Sequence, residues 1–119
     1  MAEHPVTVRN ASRDCVLGER VQIARTFFSR GRGLMFVPEL PSGEGLIIDP
    51  CTSIHTFFMR IPIDVLYMDR SNTVLRADAE VVPWRIGPIF TGSKWVIELP
   101  AGTIAATGTS RGDVISVQR

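Results

Sequence analysis

The chain has 119 residues and a mass of 13.1 kDa, which suits one domain over residues 1–119 and is too short for two well-buried cores. Its apolar content of 45% and charged content of 21% are typical of a globular protein and argue against intrinsic disorder. Thirteen basic and twelve acidic residues give a net charge of +1 without a basic stripe, so we expect no nucleic-acid partner.

The sequence also carries no sign of a membrane or of an oxidising compartment. No apolar run approaches the roughly 20 residues that a membrane-spanning helix needs. The N-terminal residues lack the basic start and apolar centre of a secretory signal. We therefore expect a cytoplasmic protein without a membrane partner, in which Cys15 and Cys51 remain thiols.

The sequence of the first half of the chain predicts a strand, a short helix and a second strand. Residues 16–24 alternate weakly between apolar and polar, which predicts a strand. Thr26 can cap a short helix that runs through Arg30, with Gly33 close to its end. A brief apolar run at residues 46–48 predicts a buried strand after a loop rich in proline and glycine.

The middle of the chain predicts an antiparallel hairpin. Residues 63–68 are apolar on both faces, as in a central strand, and polar turn residues follow at 69–72. In the next strand, residues 73–81, side chains alternate between the inside and the outside of the sheet, and Val74 is expected on the outside. The positions expected inside are Thr73, Leu75, Ala77, Ala79 and Val81.

The last third of the chain predicts a connection, a strand, a helical turn and a final strand. The connection covers residues 83–92, the strand 95–99, the helical turn 103–107 and the final strand 114–117. No helix of ten or more residues separates the strands, which disfavours a parallel sheet. The predicted fold is mainly β (α+β), a small antiparallel barrel or half-open sandwich with one or two short helices.

Four stretches of the sequence resemble a known family. They are Arg30-Gly31-Arg32-Gly33-Leu34-Met35, the run from Cys51 to Val65 (CTSIHTFFMRIPIDV), Glu98-Leu99-Pro100-Ala101-Gly102, and Gly112-Asp113. Their order and spacing resemble the bacterial and archaeal family called domain of unknown function 192. The resemblance implies a compact β-rich domain with a short helix near Gly33, and it implies no established reaction and no catalytic residues. Many members lack a histidine at the place of His55, so the resemblance restricts any role of that residue to a subgroup.

Cys51, His55 and Met59 lie four positions apart and could in principle form a soft metal site. In an extended segment, however, four residues span about 13 Å, which is too far for one shared ion. The local composition favours extended structure, so we predict no metal and no cofactor. The same spacing argues against a Cys51/His55 nucleophile pair.

Asp64 and Glu98 each lie within an apolar strand, where an unpaired charge is costly. One interpretation is structural, with each carboxylate accepting hydrogen bonds from backbone N–H groups or from an arginine such as Arg60. The other is catalytic, because two carboxyl groups within roughly 10 Å in one pocket can act as acid and base. Sequence leaves both interpretations open.

The favoured functional hypothesis is a non-enzymatic module that binds a small molecule or a protein partner. Trp84 and Phe90 lie in a loop rich in glycine and proline, where binding surfaces are common. Arg25, Arg30 and Arg32 could hold an anion near the predicted helix. The candidate ligand-binding residues are His55, Arg60, Asp64, Trp84, Phe90 and Glu98. The alternative is a small hydrolase or lyase that uses Asp64 and Glu98, and the sequence does not decide whether the protein is an enzyme.

Overall fold

The computed structural model describes residues 4–88 and 92–119, in which seven strands form one curled half-barrel sheet. The order across the sheet is β5-β4-β6-β3-β2-β1-β7. The strands are β1 (Val6–Asn10), β2 (Cys15–Ala24), β3 (Glu44–Ile48), β4 (Ile63–Met68), β5 (Val74–Val81), β6 (Trp95–Pro100) and β7 (Ile115–Gln118). The helices are α1 (Phe27–Arg32) and α2 (Thr103–Thr107). The predicted mainly β fold with two short helices is confirmed.

Helix α1 is fixed at both ends by its own sequence. The hydroxyl of Thr26 accepts a hydrogen bond from the Ser29 N–H at 3.0 Å, and the Ser29 hydroxyl accepts one from the Thr26 N–H at 3.1 Å. This reciprocal pair is a capping box with serine in the third helical position. The helix ends at Gly33, whose φ of +52° is unfavourable for residues with a Cβ atom. The predicted cap and end of this helix are therefore confirmed.

None of the helices among the described residues is long and apolar enough to cross a membrane.

The β4–β5 hairpin forms as predicted, but its inside and outside positions differ from the simple alternation. The register shifts between the pairs Tyr67–Arg76 and Met68–Val74, and again between Ile63 and Val65. Each shift inserts an extra residue into β5 and reverses which side chains face the core. Val74, expected outside, is consequently buried opposite Met68, and Ala79, expected inside, is exposed.

Residues on the two faces of the sheet pack into two separate apolar clusters. The first apolar cluster includes Val8, Val21, Leu66, Met68, Ile97 and Leu99. The second apolar cluster includes Leu34, Ile48, Met59, Val65, Tyr67 and Val96. Strand β6 contributes alternate residues to both, because successive side chains of a strand point to opposite faces. Helix α1 and the loop that follows β3 lie over the second cluster, and there they enclose the candidate site.

Candidate functional site

A cavity of about 330 Å³ opens between α1 and the segment of residues 50–55, above strand β6. We call it the Glu98 pocket. Its wall includes polar groups from three parts of the chain and apolar groups from the second cluster. The lining residues include Arg30, Arg32, Gly33, Leu34, Ile48, Cys51, Ile54, His55, Met59 and Glu98.

Glu98 is buried, with 2% of its surface exposed, although it carries an ionisable carboxyl group. Its Oε1 atom has no hydrogen-bond partner. Burial raises the pKa of Glu98 to about 8, since the charged carboxylate would lose its hydration. At neutral pH the carboxyl group is therefore mostly protonated.

Gly33 keeps the space above Glu98 open. A Cβ atom at position 33 would lie 3.7 Å from Oε1 of Glu98 and 3.8 Å from Cδ1 of Ile48. The positive φ of Gly33 also disfavours any larger residue there. The end of helix α1 thus turns beside the carboxyl group without a side chain of its own.

Arg30 supplies the pocket with a positive charge. Its Nη1 atom donates to the Pro50 carbonyl at 3.1 Å, which ties α1 to the following loop. Its Nε atom is buried and has no hydrogen-bond partner. Two residues that line the pocket therefore each carry a buried polar atom without a partner, an N–H donor on Arg30 and a carboxyl oxygen on Glu98.

Cys51 and His55 both line the pocket, but they form no nucleophile pair with each other. The Cys51 thiol donates to the Ser53 carbonyl at 3.0 Å, and burial is the largest cause of its raised pKa. Nδ1 of His55 accepts a hydrogen bond from the Phe57 N–H at 3.1 Å. A thiol with a raised pKa is a poor nucleophile at neutral pH. Among residues 4–88 and 92–119, no group of three His, Cys, Asp or Glu side chains is placed to hold a metal ion.

Asp64 belongs to the other face of the sheet. In the β4–β6 pairing Asp64 lies opposite Leu99, whereas Glu98 lies opposite Val65. Residues directly opposite each other share a face, so the two carboxyl groups point to opposite sides. Asp64 is fully buried and accepts hydrogen bonds from the Glu80 N–H at 2.8 Å and the Ile104 N–H at 2.7 Å. The paired-carboxylate arrangement required for the hydrolase hypothesis is absent from this site.

Trp84 lies in an exposed group beside the pocket that we call the aromatic cluster, composed of Phe36, Phe57, Phe58 and Trp84. Ring centroids are 4.9 Å apart for Phe58 and Trp84, and 5.7 Å apart for Phe36 and Phe58. Phe36, Phe58 and Trp84 all have positive φ and expose about half of their surface. Non-glycine residues in this conformation are costly and often mark functional sites. His55 connects the cluster with the pocket, because its ring lies 5.4 Å from that of Phe57.

The six predicted site residues therefore separate into distinct locations. Glu98 and His55 line the pocket, while Asp64 faces the first apolar cluster and Arg60 is exposed outside the pocket lining. Phe90 lies outside the described residues. Sequence reasoning did not connect Arg30 and Gly33 with Glu98, and the only signal available was that they belong to stretches of the same family resemblance.

Comparison with known proteins gives the family. The model of domain of unknown function 192, described as "Uncharacterized ACR", matches residues 7–117. The chain belongs to this family. Three of the four stretches that carried the resemblance, which contribute Arg30, Cys51 and Glu98, meet at the Glu98 pocket.

Relatives and solved structures agree with this assignment. A UPF0127 protein of Thermococcus sibiricus is 38% identical over 110 residues, which are 89% of this chain and 71% of that protein. A Novosphingobium aromaticivorans protein of unknown function shares 30% identity with a TM-score of 0.80, covering 94% of this chain and 83% of the other. A Sinorhizobium meliloti protein provisionally described as a transcription regulator shares 26% identity with a TM-score of 0.77, covering 94% and 91%. These similarities establish the family and fold.

Proposed function

We propose that this protein is a non-enzymatic binding module that takes a small molecule into the Glu98 pocket. The observation that carries the proposal is Oε1 of Glu98, a buried carboxyl oxygen without a hydrogen-bond partner that belongs to a residue lining the cavity. Nearly all buried polar atoms in native proteins are paired, and leaving one unpaired costs about 1–3 kcal/mol. A ligand in the cavity would supply the missing partner.

The chemistry of the pocket supports binding rather than hydrolysis. Glu98 has no second carboxyl group on its face of the sheet within the described pocket lining. The Cys51 thiol has a raised pKa, and its hydrogen is donated to Ser53. The Cys51 thiol is thus already engaged in the internal structure, and Glu98 lacks the second carboxyl group that paired acid–base catalysis needs.

The size of the pocket limits the ligand to a small metabolite. A cavity of about 330 Å³ lies at the lower end of the range for ligand sites, roughly 300–1,000 Å³. The aromatic cluster lies next to His55, an exposed residue of the pocket lining, and can contact a part of the ligand that extends beyond the cavity. It also favours a second candidate, a protein partner that packs on Phe36, Phe58 and Trp84.

Two further expectations belong to the proposal. We infer a cytoplasmic location, supported by the free thiols of Cys15 and Cys51. We also infer that no nucleic acid is a partner, because the charges nearly balance at +1. The transcription-regulator description concerns the Sinorhizobium protein alone.

Thermal denaturation with a panel of amino acids, sugars, nucleotides and short peptides tests the proposal. A ligand at a hundred times its Kd adds about 2.7 kcal/mol of stability, which should raise Tm by roughly 10 °C. We expect this rise in the native protein and in the control Glu39→Gln, which changes an exposed glutamate, and its loss in Glu98→Gln. A panel in which no compound raises Tm, or in which Glu98→Gln responds like the native protein, would contradict the proposal.

A further inference from the structure

Two buried side-chain polar atoms without a hydrogen-bond partner occur in the described part of the chain, and both belong to residues that line the Glu98 pocket. They are Nε of Arg30 and Oε1 of Glu98. The first is an obligatory donor on a permanent cation, and the second belongs to a carboxyl group. Because native proteins leave few such atoms unpaired, their occurrence on two residues that line one cavity favours a ligand that pairs with both.

The two groups have opposite potential charges but do not neutralise each other. The ion pairs found among the described residues include none between Arg30 and Glu98, so their charged atoms lie more than 4.0 Å apart. Burial is the cause of the raised pKa of Glu98, whereas a guanidinium in direct contact would lower it. The Arg30 guanidinium and the Glu98 carboxyl group can therefore each bind a different part of a ligand.

Another part of the pocket wall is apolar. Leu34, Ile48, Ile54 and Met59 belong to the second apolar cluster and also line the pocket. They offer a surface for an aliphatic group of the ligand. The cavity thus combines the unpaired donor of Arg30, the carboxyl group of Glu98 and an apolar wall in a volume suited to a small molecule.

We propose that the ligand is a small zwitterion of the amino-acid class with an aliphatic side chain, its ammonium group on Glu98 and its carboxylate on Arg30. This inference rests on the proposed function of the pocket. The ammonium group donates to the unpaired Oε1, and the carboxylate accepts from the unpaired Nε. The aliphatic side chain packs against Leu34, Ile48 and Met59.

Binding of an ammonium group requires the ionised form of Glu98, so the complex forms with release of a proton. The Glu98 carboxyl group gives up its hydrogen to the solvent, and the resulting carboxylate pairs with the ligand cation. The other titratable or charged groups around the pocket are Tyr67 on β4, Cys51 and His55 in the loop, and Arg30 and Arg32 on α1. The raised pKa values of Tyr67, about 12, and of Cys51 keep both groups protonated when Glu98 titrates.

Isothermal titration calorimetry with three matched compounds tests the inference. L-leucine carries both charges, 4-methylpentanoate lacks the ammonium group, and 3-methylbutylamine lacks the carboxylate. We expect L-leucine to bind the native protein at least tenfold more tightly than either analogue. At pH 7, buffers of different ionisation enthalpy should report release of close to one proton per leucine bound.

Two variants assign the two contacts. Glu98→Gln should lose the preference for leucine over 4-methylpentanoate together with the proton release, while Arg30→Gln should lose the preference over 3-methylbutylamine. Arg111→Gln, which changes an exposed arginine outside the pocket lining, serves as the matched control and should bind like the native protein. Circular dichroism of each variant confirms that it is folded.

The outcomes separate this inference from the proposed function. The zwitterion inference is wrong if either analogue binds as tightly as leucine. It is also wrong if both variants bind leucine as tightly as the native protein does. If none of the three compounds binds while another compound raises Tm in a Glu98-dependent manner, the inference is wrong and the proposed function stands. If no compound shows Glu98-dependent binding, both fail.

Discussion

Asp64 and Glu98 are both buried carboxyl residues on neighbouring strands of the same sheet, but their surroundings differ completely. Asp64 accepts hydrogen bonds from two backbone N–H groups, those of Glu80 and Ile104. Glu98 lines a cavity with one oxygen unpaired and a pKa raised to about 8. The comparison teaches that burial alone does not show what a carboxyl group does. The pairing of its oxygens separates the structural group from the candidate binding group.

The largest expected effect comes from removing the structural carboxylate. Asp64→Ala leaves two backbone donors without their acceptor, so the free energy of unfolding should fall by about 4 kcal/mol. Urea denaturation measures this change. As a control, Asp78→Ala removes an ion pair with Arg76 on a partly exposed strand and should cost less than about 1 kcal/mol. If Asp64→Ala lowers the free energy of unfolding as little as the control does, Asp64 is not the structural hydrogen-bond acceptor described above.

Stability should also depend on pH through Glu98, in the direction opposite to that of an ordinary carboxylate. Below the usual pKa of glutamate, the folded and the unfolded chain both hold the proton. Between that value and pH 8 the unfolded chain releases the proton while the folded chain keeps it, so stability falls as pH rises. We expect a decrease of about 1 kcal/mol per pH unit between pH 5 and pH 8.

Glu98→Gln provides the matched variant for this slope, because it keeps the shape of the side chain and cannot ionise. Its free energy of unfolding, measured by urea denaturation at each pH, should stay nearly constant over that range. An equal slope in native protein and variant would show that another group causes the pH dependence.

A smaller effect of opposite sign is expected from Asp113 on the acid side. Burial alone would raise its pKa, but hydrogen bonds from Asn10, Arg13 and the Ser110 N–H outweigh burial and lower the pKa. Stability from this group is present at neutral pH and is lost as pH falls below the usual range of aspartate. Asp113→Asn should cost about 1–2 kcal/mol at pH 7 and flatten the acid limb of the stability curve. Chemical denaturation between pH 3 and pH 5 measures this dependence. If the free energy of unfolding of the native protein does not change over that range, Asp113 does not have the stabilising role described here.

The smallest effect on folding is expected in the aromatic cluster. Trp84→Gly relieves a positive φ, worth about 1 kcal/mol, and loses ring contacts with Phe57 and Phe58 of similar size. The two changes nearly cancel, so Tm should move by only a few degrees. If Trp84→Gly instead unfolds the protein, the cluster is part of the core and is not a surface available for contacts.

The sequence predicts local structure well because local signals decide it. Thr26 and Gly33 bound helix α1 through capping and a positive φ, both of which depend on nearby residues alone. The two-residue alternation likewise identifies the β4–β5 hairpin. The error at Val74 arises from the bulge opposite Met68, since a register shift depends on the partner strand.

The site is harder to predict because it depends on which strands become neighbours. Alternation places Asp64 and Glu98 on definite faces of their own strands, but only the β4–β6 register shows that these faces are opposite. The sequence also did not predict the parallel β2–β3 pair. The other neighbour of β3 is β6, and this pairing places Leu46 directly opposite Glu98. Phe36, Phe58 and Trp84 occupy positive φ positions where glycine or asparagine is the usual signal, so no residue type marks the aromatic cluster.

The most direct test of the account is the titration of the Glu98 carboxyl group itself in the ligand-free protein. The protein is labelled with ¹³C at the side-chain carboxyl of glutamate, and the NMR signal of Glu98 is identified by its absence from Glu98→Gln. We predict that this signal titrates with a pKa of about 8, well above those of the exposed glutamates. A pKa near the ordinary glutamate value of about 4.3 would show that the carboxyl group is hydrated or paired, and would contradict the account.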